Sequence, residues 1–391
     1  MRQSKPFHFD AIFFVGVMCL VGLGVVIIYS SSGAYAEQKN LPNTFFLVSH
    51  LKKVFVGLFA LTLGFVLNFK IWEKFSRPFL FVTLLSLIYL VTASGITGIH
   101  GAKRWIQLGG FSLQPSELAK IAAIFFLAKF LTDKENLIGE FKKGLLASLV
   151  MVGILFALVL KQPDYSSAAI ILSIAAVLIF AGGAQIKHLF LLALTGIPAL
   201  GFLMVSSSYR LQRVMAFLNP DENTASSYQA IHSLIGLGTG GLTGTGLGTG
   251  TQKLGYLPMP FTDTIFSIMG EELGLIGTFI CLLLFALIIW RGLRVAFLCA
   301  DRFGSLVALG IITSFAVTVV MHVGVCAGFF PTTGQPLPFV SYGGTALISM
   351  MFLSGILLNI STYPIVEASH VNRMDLQRTY RSALAKQRLG V

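Results

Sequence analysis

The chain has 391 residues, of which 55% are hydrophobic and 11% charged, with mean hydropathy +0.81 and formal net charge +12. Soluble domains carry about 25% charged residues, so this composition excludes a water-soluble surface and makes the bilayer the solvent. The positive charges sit at the ends of apolar runs rather than on one polar face, which reads as membrane topology and not as nucleic-acid binding.

A spanning helix needs about 20 mostly apolar residues. On that template the first helix is expected over 11–31. Arg2 and Lys5 before it, and Ala34-Tyr35-Ala36 after it, imitate a signal peptide. The apolar run from Ala11 to Ile28 is longer than the usual 7–15 residues, so it reads as an uncleaved helix. Helices two and three are expected over 54–69 and 78–95. Arg104-Trp105 then precede helix four, 115–132, where a Trp commonly anchors at the interface. Helix four carries Glu117 and Lys120 at i, i+3, a pair that neutralises itself inside the membrane. Helix five, 144–161, ends at Lys161 and is followed by Gln162-Pro163-Asp164. Helices six and seven are expected over 166–183 and 187–205.

A long outer segment, 206–263, comes next. It opens with Arg210 and Arg213, whose i, i+3 spacing puts two guanidiniums on one helical face, an arrangement that suits a phosphate or diphosphate or equally a snorkelling helix end. Between Gly236 and Gly250 lie eight glycines. The formal GxGxxG match there lacks a preceding strand, so it reads as close backbone approach or as an anion nest of N–H groups. Lys253 and Asp263 close the segment. Asp263 stands where helix eight, 264–290, begins, as a helix cap or as a desolvated carboxylate poised as general base. Glu271 and Glu272 fall inside helix eight and need donors from the bundle interior. Helices nine and ten are expected over 303–327 and 344–365, joined by an uncharged loop containing Ser341. A basic tail, 366–391, follows.

With the N-terminus inside, the inner segments hold eighteen Lys and Arg and the outer ones nine, which puts both termini in the cytoplasm. The four cysteines, Cys19, Cys281, Cys299 and Cys326, show neither a disulfide framework nor a zinc spacing. No metalloprotease, serine-hydrolase or nucleotide-binding motif occurs, so phosphate energy has to arrive on a substrate.

These motifs resemble the SEDS proteins (FtsW, RodA, SpoVE), the peptidoglycan glycan-strand polymerases. The resemblance runs over nearly the whole chain. It is carried by Arg104-Trp105-Ile106, Gln114-Pro115-Ser116-Glu117-Leu118-Ala119-Lys120, Gln162-Pro163-Asp164, and Arg213 before Phe217-Leu218-Asn219-Pro220. It also includes Tyr256-Leu257-Pro258 with Thr262-Asp263, Gly270-Glu271-Glu272-Leu273-Gly274, and Pro336-Leu337-Pro338-Phe339-Val340-Ser341-Tyr342-Gly343-Gly344. Gln252-Lys253 and the Glu pair look more like FtsW than RodA.

The resemblance implies an all-α polytopic fold of about ten transmembrane helices in one domain, 1–391, with a large extracytoplasmic loop between helices 7 and 8. It implies polymerisation of lipid II into a growing glycan strand on the outer face of the bacterial inner membrane. Asp263 matches the family's essential aspartate. Arg210, Arg213, Lys253, Trp105, Arg104, Gln162, Asp164 and Ser341 become candidate substrate-binding residues. Glu117, Lys120, Glu271 and Glu272 become intramembrane polar positions. A divalent cation, Mg or Mn, at the diphosphate is the candidate cofactor, with no nucleotide. The implied partners are a class B penicillin-binding protein and other division or elongation proteins. A lipid II flippase and a non-catalytic division scaffold are the alternatives. Phe261, His322, Cys326 and Thr333 depart from the family's usual residues.

Overall fold

The computed structural model describes residues 9–92, 104–108, 111–138, 140, 145–187, 190, 208–219 and 225–363. Among them, nine helices fall on nine of the ten expected spans: α1 (Ala11–Gln38), α2 (Phe45–Val66), α3 (Phe69–Thr92), α4 (Pro115–Asp133), α5 (Leu146–Lys161), α6 (Tyr165–Ala181), α9 (Ile265–Leu298), α10 (Arg302–Cys326) and α11 (Gly344–Ser361); α1, α2, α3, α9, α10 and α11 are long and apolar enough to cross a membrane, and α5 and α6 are shorter apolar helices. The expected seventh span, 187–205, and the basic tail, 366–391, lie outside the described residues, apart from residues 187 and 190.

Several boundaries move. α2 begins nine residues before its expected start and α3 nine before its own. Lys52 and Lys53 interrupt the apolar run that marks α2, and Lys70, Lys74 and Arg77 hide the first turns of α3. In the fold these turns are helical, and some of their charges lie near carboxylates. Lys70 pairs with Asp301 at 2.6 Å, and Arg77 approaches Asp133 at 3.7 Å. A two-stranded hairpin, β1 (Ile106–Leu108) against β2 (Phe111–Leu113), sits before α4 and was not expected. Thr345 of α11 donates to the Ser112 carbonyl and ties the hairpin to the bundle.

The core lies where α4, α6, α10 and α11 meet; α4 and α10 are lined with residues such as Phe125, Phe303 and Phe315 that are almost fully buried. Without a hydrophobic drive between helices in lipid, small residues set how close the backbones come. A Cβ on Gly355 would stand 2.0 Å from the Leu61 carbonyl, and one on Gly64 would stand 2.5 Å from the Phe352 carbonyl. Thus α2 lies directly on α11, while Phe55 and Phe59 on its other face are exposed to the membrane.

The long outer segment contains two helices, α7 (Ser208–Leu218), on the stretch where the spacing of Arg210 and Arg213 puts both on one helical face, and α8 (Ala225–Thr239). Its glycine run then folds back against α9. α9 is not continuous: Gly274 takes φ 67° and ψ −166° and breaks it into two halves. The N–H groups freed by the break donate to the loop, Leu275 to the Gly241 carbonyl and Ile276 to that of Leu242. This satisfies backbone groups that bare lipid would leave unpaired.

Candidate active site around Asp263

The short half of α9 carries Glu271 and Glu272 into the protein interior, both fully buried. Glu271 accepts the N–H groups of Thr251 (2.6 Å) and Gln252 (3.1 and 3.3 Å) and the Thr251 hydroxyl at 2.7 Å. These two amides lie immediately after the glycine-rich stretch, and it is the protein's own carboxylate that they bind. Glu272 pairs with Lys253 at 2.5 Å, with the ammonium 5% exposed. Ser30 of α1 completes the cluster, donating to Glu272 at 2.5 Å while its carbonyl accepts from Lys253 at 3.0 Å. Lys253 is therefore not open to a diphosphate as the sequence reading had it; the buried glutamate claims its charge.

This clamp fixes the turn that leads to Phe261-Thr262-Asp263. The three consecutive carbonyls of that segment are each held by a different group. Phe261 accepts from the Tyr342 N–H at 2.9 Å, Thr262 from the Ser341 hydroxyl at 2.6 Å, and Asp263 from the Cys326 thiol at 3.8 Å. Ser341 is thus a buried fastener between two loops, its oxygen also accepting the Leu337 N–H. Phe261 sits in an aromatic cluster with Tyr35, Phe46 and Tyr342. An apolar ring fits that cluster without needing a polar partner.

The Asp263 side chain does not cap α9. Thr264 occupies the cap position, and the helix begins at Ile265. The carboxylate instead accepts from the Thr262 hydroxyl at 3.0 Å and from Gln229 of α8 at 3.3 Å. Burial pushes its pKa above the ordinary value of 3.8. The two hydrogen bonds, its own N–H and the nearby Arg213 charge oppose that rise without cancelling it.

Arg213 links Asp263 to a cavity of about 610 Å³. Its guanidinium donates to the Thr332 carbonyl at 2.7 Å, and both residues line the cavity. Arg104 lines it as well, pinned by the carbonyls of Gln162 (3.1 Å) and Pro163. One side of the wall is apolar, with Val317, Val320, Met321 and Phe330, and Gln114, Asp164, Ser166 and Gln335 add further polar groups. An apolar cleft of several hundred Å³ with a few fixed polar groups is the usual form of a ligand site. Arg210 also lies on α7, but its side chain is outside the described residues.

The other candidates divide. Asp164 reaches the cavity wall, yet its oxygens are already engaged. One caps α6 through the Ser167 N–H at 3.2 Å, and the other accepts from Ser116 (2.6 Å) and Gln114 (3.1 Å). Gln162 is buried and donates to the Leu87 carbonyl, away from the cavity lining. Trp105 is partly buried just before β1. Glu117 and Lys120 form a fully buried pair at 2.7 Å. Among the described residues no group of three or more His, Cys, Asp or Glu converges as a metal site.

The sequence reading missed the roles of Gln229, Thr332 and Gln335. Gln335 extends the Asp164 network, donating to Ser167 at 3.1 Å, and its carbonyl meets the ring of His322 at 2.8 Å. Gln229 lies on α8, and no local pattern says which carboxylate a glutamine will meet across the fold.

The family model described as "Cell cycle protein", covering FtsW, RodA and SpoVE, matches residues 10–364. Stage V sporulation protein E of Bacillus subtilis is 39% identical over 93% of this chain and 98% of its own length. A probable peptidoglycan glycosyltransferase FtsW of Trichlorobacter lovleyi is 39% identical over 91% and 95%. Among solved structures, a chain of a peptidoglycan synthase complex that coordinates polymerization and crosslinking superposes with TM-score 0.73, at 25% identity, over 90% of this chain and 97% of that one. The rod shape determining protein RodA of Thermus thermophilus shares the fold, with TM-score 0.66 and 24% identity over 91% and 97%. A polytopic helical membrane protein with a polar site on its large loop is what the fold and site define. The chain belongs to the FtsW/RodA/SpoVE family.

Proposed function

We propose that this chain is a peptidoglycan glycosyltransferase that polymerises lipid II at the outer face of the bacterial inner membrane, with both termini in the cytoplasm and a role in division. The observation that carries the reading is Asp263: a carboxylate with a raised pKa, on a segment held by three carbonyl contacts, coupled through Arg213 to a large apolar cavity. Relatives named as probable peptidoglycan glycosyltransferases support it.

In the proposed reaction the 4-hydroxyl of an incoming lipid II attacks the anomeric carbon of the growing strand. The bond from that carbon to the diphosphate oxygen breaks, and undecaprenyl diphosphate leaves with the electron pair. The configuration inverts, and Asp263 takes the hydroxyl proton. Arg213 and Arg104 face the diphosphate, and the apolar wall takes the lipid. Asp263 and Asp164 are already engaged by protein donors, so a divalent cation would be held by the diphosphate itself, where it would neutralise leaving-group charge. A class B penicillin-binding protein is the proposed partner, in keeping with the synthase complex whose chain this fold resembles.

A transport reading would rest on the intramembrane charges. Glu117 is paired with Lys120, Glu272 with Lys253, and Glu271 with backbone amides, which favours structural pairs. The test is direct. Purified protein in liposomes with its partner should convert labelled lipid II into polymer. Movement of fluorescent lipid II across the bilayer with no polymer formed would reject the polymerase reading.

A further inference from the structure

Tyr342 joins the Asp263 segment to a different helix, α2. Its N–H holds the Phe261 carbonyl at 2.9 Å. Its ring stands edge-on to Phe261 (centroids 5.4 Å, 89°) and to Phe46 of α2 (5.8 Å, 79°). Its hydroxyl shares a hydrogen bond of 2.9 Å with Ser49 of α2. The Lys53 ammonium, one turn further along α2, lies 3.5 Å from the ring centroid. Four successive positions on one face of α2, Phe46, Ser49, His50 and Lys53, thus surround one side chain, at i, i+3, i+4 and i+7 spacing.

We propose that Tyr342 is a positioning residue that sets the placement of Asp263 relative to α2, through its hydroxyl bond to Ser49. This rests on the reading of Asp263 as the general base. A directional hydrogen bond at the hydroxyl fixes where the far end of the ring sits on α2. With that end fixed, the Tyr342 N–H and the neighbouring Ser341 hydroxyl keep the carbonyls of Phe261 and Thr262 in place, two and one residues from the carboxylate. α2 is a suitable reference because Gly64 and Gly355 seat it against α11 at backbone contact distance. A base misplaced by about 1 Å loses rate while leaving binding intact, so the signature belongs in kcat and not in KM.

Tyr342→Phe keeps the ring, the cation contact and the N–H, and removes only the hydroxyl. Ser49→Ala removes the other end. Each variant, assayed for lipid II polymerisation in liposomes, should lower kcat about fivefold to tenfold with KM unchanged. The double variant should match either single one, because both break the same bond. Ser49→Thr, which retains a hydroxyl, should restore most of the rate. Thermal midpoints measured alongside identify any variant that has simply lost its fold, in which case the Ser49 pair carries the test. Wild-type kcat in both single variants, a change confined to KM, or multiplying effects in the double variant would overturn the proposal. Asp263→Asn run in parallel separates the two readings. If it is inactive while Tyr342→Phe is fully active, only the tether fails; if it is active, the base assignment fails and the tether with it.

Discussion

Lys253 is the residue on which sequence and structure part most clearly, and replacing it with methionine separates the two accounts. In the fold its ammonium lies 2.5 Å from Glu272, with the two side chains 5% and 0% exposed. Solvent screens neither charge, so the modest values of surface ion pairs do not apply. Removing one partner of a buried pair typically costs about 3–5 kcal/mol, because the other charge stays behind without compensation. After Lys253→Met, Glu272 keeps only the Ser30 hydroxyl as a donor. Using the scaling for soluble domains of about 2–4 °C per kcal/mol, the thermal midpoint should fall by roughly 10 °C. Lys253→Met with Glu272→Met removes both charges, and apolar replacement of a buried pair is often close to neutral. The double variant should therefore recover most of the loss, with a coupling of about 2 kcal/mol or more. The assay is thermal unfolding of purified protein in one detergent, with polymerisation kinetics on the same samples. A Lys253→Met protein as stable as wild type, with KM for lipid II raised tenfold or more, would refute the buried clamp and return Lys253 to the diphosphate.

Other outcomes follow from the same geometry. Gly244→Ala should yield no folded protein, since its Cβ would lie 2.1 Å from the Glu272 carbonyl at φ +83°, while Gly238→Ala, with nothing within 4 Å, should purify like wild type; equal yields of monodisperse protein would contradict the packing. Polymerisation should fall as pH drops through the raised value of Asp263, so the acid limb of the rate profile should lie above the ordinary carboxylate value of 3.8. A profile that stays flat into the ordinary carboxylate range would count against a desolvated base. The same raised value means that the folded state holds the proton more tightly than the unfolded chain, so ionisation of Asp263 lowers stability as pH rises from the unfolded to the folded value. Asp263→Asn should therefore unfold at the same or a higher temperature than wild type at pH 7, and the difference should vanish in acid; a markedly lower midpoint would mark Asp263 as structural.

Much of the fold was legible because lipid imposes a single rule on composition. Runs such as Ala11–Ile28 and the stretch after Arg302 are apolar throughout and became helices where expected. The rule misplaced boundaries where charge enters a helix. Lys53 reads as the boundary just before an apolar run, but a tyrosine face from another element accommodates it. The break at Gly274 was not legible, because a glycine within an apolar stretch is compatible with a continuous membrane helix. What the break requires, acceptor carbonyls from Gly241 and Leu242 and donor N–H groups from Thr245 and Gly246, comes from about thirty residues earlier. In the site, the need of Glu271 and Glu272 for buried donors followed from sequence. Their identities did not, since Lys253 and the Thr251 amide are joined to them only by the folding back of the glycine run. Gln229 and Tyr342 act through contacts 34 and 81 residues away in the chain, distances that no local pattern spans.

The central claim is that Asp263 takes the proton from the attacking hydroxyl. Asparagine keeps its shape and can still meet the Thr262 and Gln229 side chains, but it does not accept a proton at neutral pH. The most direct measurement is the rate of labelled lipid II polymerisation by Asp263→Asn beside wild type, in liposomes with the partner, at matched amounts of folded protein. Loss of a general base typically costs about 10²–10⁴-fold, so the account predicts a rate at least a hundredfold lower with no loss of thermal stability. A near wild-type rate from a folded Asp263→Asn protein would contradict it and move the base to another carboxylate.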